Sequence, residues 1–128
     1  MAREHIEVIS QIYEAFDRGD LAALFARLTP DAEVFESRDV PWGGVYTGQQ
    51  RVGQYLVKLT NAIDSHVSVE HTIDAGDVVV IVGRARGTVR ATGTPFDVPC
   101  VHVWQMRGNR AARFSAYIDH PTMLAALS

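Results

Sequence analysis

Side chains that can accept and return a proton are concentrated near the C-terminal end of the chain. His102 is a candidate base, and Asp119 could hold its imidazole ring in one orientation through a hydrogen bond. Tyr117 could donate a hydrogen bond to a polar ligand. Such a group would act on a small molecule by acid–base chemistry, provided that the strands carrying these residues turn them towards one another.

The pattern of those strands favours a different inner face. Residues 98–120 are predicted to form two strands joined through residues 107–110, because a Gly-Asn pair there supplies the positive φ of a hairpin turn. Side chains along each strand alternate between the two faces of the sheet. We expect the mostly apolar face to line a pocket, and it carries Val101, Val103, Gln105, Phe114, Ala116 and Ile118.

The opposite face of the same hairpin is predicted to be a contact between two copies of the chain. Aromatic and arginine side chains are enriched at the centres of protein interfaces, so a homodimer is expected here. The residues of this face are His102, Trp104, Arg113 and Tyr117. A catalytic pair of His102 and Asp119 requires the reverse register and is the alternative hypothesis.

Arg84 and Arg86 are predicted to project from the same face of their strand as Val80 and Val82, because side chains two residues apart share a face. If that face is the inner one, both arginines would bring positive charge to the pocket and favour a weakly acidic ligand. If the strand twists outward, both are solvated, as the high cost of burying an unpaired arginine would favour.

Composition limits the classes of partner. The chain has 128 residues, 47% of them hydrophobic, and a net charge of -3, which fits one domain (1–128) without a basic surface for nucleic acid. Acidic residues near the N-terminus argue against a signal peptide or a membrane helix, so we expect a cytoplasmic protein. The lone Cys100 cannot form an internal disulfide, and the histidines lack metal-ligand spacing. We expect no metal and no cofactor.

The hydrophobic periods predict the elements that position these residues. Asp20 is placed to cap a second helix, and Thr47 with Gln50 forms a capping box for a third. Later segments alternate with a period of two, as strands do. The predicted elements are helices 3–18 and 21–28, strand 32–36, loop 37–46, a helix ending near residue 63, strands 65–73 and 78–91, the hairpin, and a helical turn over 121–127.

This order predicts an α+β fold, with a curved mixed, mostly antiparallel sheet wrapped around three N-terminal-side helices. A sheet that curls over helices leaves a conical pocket at its wide end, where small ligands commonly bind. Trp42 and Tyr46 lie in the glycine-rich loop before the third helix. They would wall a ligand at the mouth of this pocket or pack as core aromatics.

Four stretches carry a family resemblance. They read IYEAFDRGDLAALFARLTPDAEVFE, GGVYTGQQRVGQYLVKL, VHVW and FSAYID. In this order they resemble the SnoaL-like polyketide cyclase and ketosteroid-isomerase-like family of the nuclear-transport-factor-like superfamily, across essentially the whole chain. The resemblance implies the conical α+β fold. It is less specific for activity, since this fold hosts isomerases, cyclases, dehydratases, epoxide hydrolases and non-catalytic binding modules.

The resemblance assigns one residue a catalytic role. In ketosteroid isomerases, a carboxylate just after the first strand moves a proton beside a carbonyl group, and Glu36 aligns with it. At the rim of an apolar pocket, desolvation would raise the pKa of this carboxyl group towards neutrality. The alternative is a solvated carboxylate at the end of a strand.

The groups that stabilise the enolate in those isomerases are not found at the aligned positions. The tyrosine position falls on Ile12, with Tyr13 next to it as a candidate ligand contact, and the aspartate position falls on Val101. The acid that cyclases carry on the last strand falls on Ala116. Another group must therefore stabilise the developing negative charge.

Gln105 and Tyr46 are candidate donors for that charge, through an amide N–H and a phenol. The resemblance thus implies a cofactor-independent isomerase, cyclase or dehydratase that acts on a small apolar or weakly acidic carbonyl compound, with Glu36 moving the proton. The alternative is a non-catalytic ligand-binding or dimeric assembly domain of the same fold.

Overall fold

The computed structural model describes residues 2–128, with side chains from Glu4 onward, and Met1 of the predicted single domain lies outside this range. Within the described residues the chain forms four helices and six strands. In order they are α1 (Ala2–Arg18), α2 (Leu21–Ala26), β1 (Leu28–Glu36), β2 (Gly44–Thr47), α3 (Gln49–Ala62), β3 (Ile63–Ala75), β4 (Val78–Val89), β5 (Pro95–Arg107), β6 (Arg110–Ile118) and α4 (His120–Leu127). No helix in this range is long and apolar enough to cross a membrane.

The corner between α1 and α2 follows the predicted pattern. Asp20 caps α2, since its side chain accepts a hydrogen bond from the backbone N–H of Ala23 over 3.1 Å. α2 ends before the predicted Leu28, because Leu28 already pairs with Ala111 in the sheet. β1 therefore starts at Leu28 rather than at Ala32.

The predicted capping box at the start of α3 is wrong. The N-cap is Gly48, whose φ of +88° is a conformation that glycine adopts more readily than other residues. Thr47 belongs instead to β2, and its hydroxyl donates to Glu33 of β1 over 3.1 Å. Residues 44–46, predicted as part of a loop, pair antiparallel with β1 together with Thr47.

The six described strands form one sheet in the order β2-β1-β6-β5-β4-β3. β1 runs parallel to β6, and every other neighbouring pair among them is antiparallel. Buried residues of α1, α2 and α3 share one hydrophobic core with the inner face of the sheet. The predicted fold class, a mixed and mostly antiparallel sheet around three helices, is confirmed.

One β-bulge sets the register between β5 and β6. Next to the turn Met106 pairs with Ala111, but Gln105 pairs with Arg113. Ala112 therefore has no partner across this ladder, and the pairing shifts by one residue. Since side chains alternate between the two faces of the sheet, a shift of one residue changes which side chains of one strand share a face with a given side chain of its neighbour.

This shift makes the predicted inner face of β5 wrong. An unbroken ladder from the turn would set Val103 opposite Phe114, so that both would face the interior. The bulge instead sets Trp104 opposite Phe114 and His102 opposite Ala116. His102 and Trp104 are buried on the inner face, whereas Val103 lies on the outer face.

Arg84 and Arg86 of β4 also lie on the outer face. Arg84 Nε donates to one carboxylate oxygen of Asp97 over 2.6 Å, and Arg86 Nε lies 3.3 Å from the other. The hydrogen bond from Arg84 lowers the pKa of Asp97 below its usual range. The prediction that these arginines bring charge to the pocket is wrong, and the outward alternative is correct.

Candidate functional site

A cavity of about 130 Å³ lies between the helices and the inner face of the sheet. Its surface is almost entirely apolar and is formed by aromatic and aliphatic side chains. The polar side chains in its wall include Tyr13, Glu36, Tyr55 and His102. Among the residues that the structure describes, no three His, Cys, Asp or Glu side chains are grouped as metal ligands would be.

Glu36 is the last residue of β1 and is only 3% exposed, which rules out the alternative of a solvated carboxylate. Burial raises the pKa of its carboxyl group, because the charged form loses its hydration. The hydroxyl of Tyr55, on α3, donates to Glu36 Oε1 over 2.7 Å and partly opposes this rise. Burial also raises the pKa of Tyr55, so the phenol keeps its proton and remains a donor.

Trp42 and His120 surround the same carboxyl group. The Trp42 indole, and then the positive charge that His120 can carry, lower the pKa of Glu36, although burial has the larger effect. His120 Nδ1 lies 3.5 Å from the carboxylate of Asp39 at the protein surface. Trp42 Nε1 and His120 Nε2 are buried and have no hydrogen-bond partner among the described residues. Burial therefore has the largest effect on the pKa of Glu36 and favours the neutral carboxyl group, whereas the smaller effects of its neighbours favour the charged form.

A second polar group in the wall joins α1 to β5. The indole N–H of Trp104 donates to the hydroxyl oxygen of Tyr13 over 3.0 Å. That oxygen lies 2.6 Å from His102 Nδ1. The rings of Tyr13 and His102 are nearly parallel, with an interplanar angle of 14°. Tyr13 thus connects both inward-facing polar residues of β5.

The pKa values of this group define the tautomer of His102. Burial lowers the pKa of His102 to about 4, so its ring is neutral at pH 7. Burial also raises the pKa of Tyr13, which keeps its proton. Tyr13 therefore donates to Nδ1, and the proton of the neutral ring lies on Nε2. His102 is one of the side chains that line the cavity.

The register of three strands places Glu36 and His102 on either side of a gap. Glu36 of β1 pairs with Ala116 of β6, and Ala116 pairs with His102 of β5. With neighbouring strands about 4.8 Å apart, the Cα atoms of Glu36 and His102 are about 10 Å apart. Since the side chain of Ala116 is a single methyl group, it leaves space between the Glu36 carboxyl group and the His102 ring, and all three residues line the cavity. Such a pair can move a proton beside a carbonyl group while the donor stabilises the oxygen.

Some of the residues predicted to line the pocket lie in the cavity wall, and others lie elsewhere. The cavity wall includes Tyr13, Trp42, Phe114, Ala116 and Ile118. Tyr46 is buried outside that wall, and its hydroxyl donates to the backbone oxygen of Trp42 over 3.0 Å. The prediction that they line the pocket is wrong for the residues that lie on the outer face, which are Val101, Val103, Gln105, Arg84 and Arg86.

The predicted dimer contact is wrong for His102 and Trp104, because both are buried in the cavity wall. Arg113 lies at the edge of that wall, with its Nε 3.5 Å from a carboxylate oxygen of Glu33. Tyr117 is 49% exposed on the outer face. The outer face is therefore less aromatic than predicted.

The alternative pairing of His102 with Asp119 is also wrong. Asp119 accepts a hydrogen bond from the backbone N–H of Thr122 over 3.2 Å and caps α4. The partner of His102 is Tyr13, on another element. The role of Tyr55 as the partner of a buried polar group could have been predicted from the sequence. Tyr55 belongs to the apolar stripe of α3, and a buried phenol needs a polar partner.

Comparison with known proteins identifies relatives of this fold. The sequence matches the family described as SnoaL-like domain over residues 9–114. No curated protein matches the sequence.

Solved structures similar to this one cover nearly the whole chain. An NTF2-like protein of unknown function from Burkholderia pseudomallei is 25% identical, with a TM-score of 0.91 over 98% of both chains. TerC, co-crystallised with polyporic acid, is 23% identical, with a TM-score of 0.88 over 97% of this chain and 98% of its own. A protein named as a polyketide cyclase from Xanthomonas campestris pv. campestris is 20% identical, with a TM-score of 0.83 over 98% of both chains.

Proposed function

The chain belongs to the SnoaL-like domain family, and on that basis we propose that it binds a small carbonyl compound and moves a proton beside the carbonyl group without a cofactor. Glu36 is the acid–base group of this proposal. The observation that carries it is the register in which the buried Glu36 carboxyl and the inward-facing His102 flank Ala116. The neighbour named as a polyketide cyclase gives further support.

The proposed reaction begins with the Glu36 carboxylate, which takes a proton from the carbon next to the carbonyl group. The electron pair of that C–H bond forms a carbon–carbon double bond, and the carbonyl π electrons move to the oxygen. The N–H of His102 donates a hydrogen bond to this enolate oxygen. Protonated Glu36 then returns the proton to another carbon, which completes an isomerisation. In a cyclisation, the enolate carbon attacks a second carbonyl carbon instead, the π electrons of that carbonyl move to its oxygen, and the resulting alkoxide takes the proton from Glu36. In a dehydration, Glu36 protonates the leaving hydroxyl group, and the enolate electrons form the new double bond as water leaves.

His102 replaces the predicted donor Gln105, which lies on the outer face. A neutral imidazole suits this role, because it adds a donor to an apolar cavity without the desolvation penalty of a buried charge. The hydrogen bond from Tyr13 to Nδ1 polarises the ring and strengthens the Nε2–H donor.

Turnover of a panel of small ketones and enones tests this function. The proteins compared are wild type, Glu36→Gln and, as a matched control, Glu70→Gln, which changes an exposed carboxylate on β3. We expect wild type and Glu70→Gln to convert the same compound at similar rates, and Glu36→Gln to be slower by about 10²–10⁴-fold. Equal rates for all three would remove Glu36 from the mechanism. Ligands that bind but are recovered unchanged would favour the non-catalytic binding domain.

A further inference from the structure

The size of the cavity limits the ligand. Its volume is about 130 Å³, whereas pockets for drug-sized ligands have roughly 300–1,000 Å³. A buried apolar cavity of about 150 Å³ binds benzene. Aromatic rings take up much of the inner face, since the ring centre of Phe114 lies 4.8 Å from that of His102 and 4.5 Å from that of Trp104. Two fused rings therefore exceed the space.

The charges around the cavity limit the ligand as well. Arg84 and Arg86 lie on the outer face of the sheet, away from the cavity. Arg113, at the edge of the wall, is ion-paired with Glu33. His120, whose positive charge acts on Glu36, likewise lies beside a carboxylate, that of Asp39. A bound anion would therefore meet the Glu36 carboxylate without an unpaired cation beside it. These positions favour an uncharged ligand.

We propose that the ligand of this cavity is an uncharged ketone or enone with a single five- or six-membered ring and only small substituents. The carbonyl group in this proposal rests on the proposed function, because its oxygen must reach His102 while the neighbouring carbon reaches Glu36. The limits on size and charge rest on the cavity alone. Ligands of steroid size and carboxylates do not fit the wild-type protein.

Binding of a graded series of compounds tests both limits without turnover. The series is cyclohexenone, decalone, androstenedione, and the matched pair oxocyclohexanecarboxamide and oxocyclohexanecarboxylate. By isothermal titration, cyclohexenone and the carboxamide should bind wild type, decalone should bind about 100-fold more weakly than cyclohexenone, and the other two should not bind. Decalone or the steroid binding as tightly as cyclohexenone would overturn the size limit. The carboxylate binding as tightly as the carboxamide would overturn the charge limit, and failure of every single-ring compound to bind would overturn the proposal.

A truncation in the cavity wall supplies a matched pair of variants. Phe114→Ala removes a ring from the wall and should strengthen decalone binding by about tenfold or more. Tyr117→Ala removes a ring from the outer face of the same strand and should leave decalone binding unchanged. Unchanged decalone affinity in folded Phe114→Ala would contradict the size limit. If Phe114→Ala does not fold, the graded series with wild type still decides.

The failure of this inference and the failure of the proposed function give different results. Single-ring ketones that bind without conversion would contradict the function and keep the limits on size and charge. Conversion of multi-ring ketones at similar rates would contradict the size limit and keep the function. Glu36→Gln should bind cyclohexenone nearly as wild type does, because the carbonyl oxygen in this proposal contacts His102.

Discussion

The buried Glu36 carboxyl group has a raised pKa, so the folded protein binds a proton there more tightly than the unfolded chain does. Its contribution to stability is therefore complete below the unfolded pKa and is lost as the pH rises through the folded pKa. Ionisation of this buried carboxyl group thus destabilises the fold, because the charged form loses its hydration.

Glu36→Gln should raise the free energy of unfolding at about pH 8, because an amide of the same shape replaces a buried carboxylate. Its oxygen can still accept the hydrogen bond from Tyr55. The gain should shrink at about pH 5, closer to the unfolded pKa of a carboxyl group. Urea unfolding at both pH values checks this, with Glu70→Gln as the exposed control that should show no gain. A less stable Glu36→Gln at the higher pH would contradict the effect assigned to burial.

His102 gives the opposite pH dependence, because burial lowers its pKa from 6.5 to about 4. The unfolded chain binds this proton more tightly, so the contribution of His102 is complete above the unfolded pKa and is lost as the pH falls through the folded one. His102→Gln should reduce this acid sensitivity of the free energy of unfolding, by up to roughly 3 kcal/mol. Urea unfolding at a series of pH values between 6.5 and about 4 measures this acid sensitivity.

His66→Gln is the control for this prediction. His66 has an exposed ring whose Nδ1 lies 3.0 Å from Asp17, so its replacement should leave most of the acid sensitivity in place. Equal pH dependence in wild type and His102→Gln would contradict the assignment of a buried neutral imidazole.

The sequence predicted the helices and strands that carry strong local signals. The cap at Asp20 and the hairpin turn at Gly108 follow from local chemistry, and both are found. β2 was not predicted, because residues 44–47 are few and become a strand only through pairing with β1. Local patterns identify helices and long strands, whereas short strands depend on neighbours that are distant in sequence.

The inner face of β5 was mispredicted from too short a stretch. Over the whole strand, the buried side chains are Phe96, Val98, Cys100, His102, Trp104 and Met106. The polar residues Asp97, Gln105 and Arg107 lie on the same face of the strand as the outward valines. The pattern of the full strand therefore indicated that this face is the outer one. The bulge at Ala112 had no such signal, because alanine is compatible with a paired or an unpaired position.

Two deletions in β6 test the register. Deleting Ala112 should preserve cooperative unfolding, because Trp104 stays opposite Phe114 in a ladder without the bulge. Deleting Ser115 should abolish it, because the strand must either turn its inner residues outward or bring Arg113 into the cavity. Urea unfolding and near-ultraviolet circular dichroism report the outcome. Equal stability of the two deletion variants would show that the register does not control the inner face.

The outer face of the sheet is apolar at its centre. It carries Ile73, Val80, Val82, Val101, Val103 and Tyr117, of which Ile73 is 51% exposed. Asp97 already pairs the charges of Arg84 and Arg86 on the same face. We expect a second copy of the chain to cover this face, since a largely uncharged apolar surface can pair with itself about a two-fold axis.

Val103→Asp should convert that dimer to a monomer, because it places an unpaired charge at the centre of the contact. Sedimentation velocity measures the change, and cyclohexenone binding on the other side of the sheet should persist. Val57→Asp, which changes an exposed valine of α3, should leave the dimer intact. A monomeric wild-type protein, or equal sedimentation of wild type and Val103→Asp, would contradict this contact.

We propose that Glu36 moves a proton on a ligand held in the cavity. Exchange of the hydrogens next to the carbonyl group of cyclohexenone for deuterium, followed by proton NMR in deuterium oxide, measures that step before any product forms. Wild type should accelerate this exchange over buffer, and Glu36→Gln should slow it by about 10²–10⁴-fold while still binding the ketone. Equal exchange rates with the two proteins, or no acceleration by wild type, would contradict the claim.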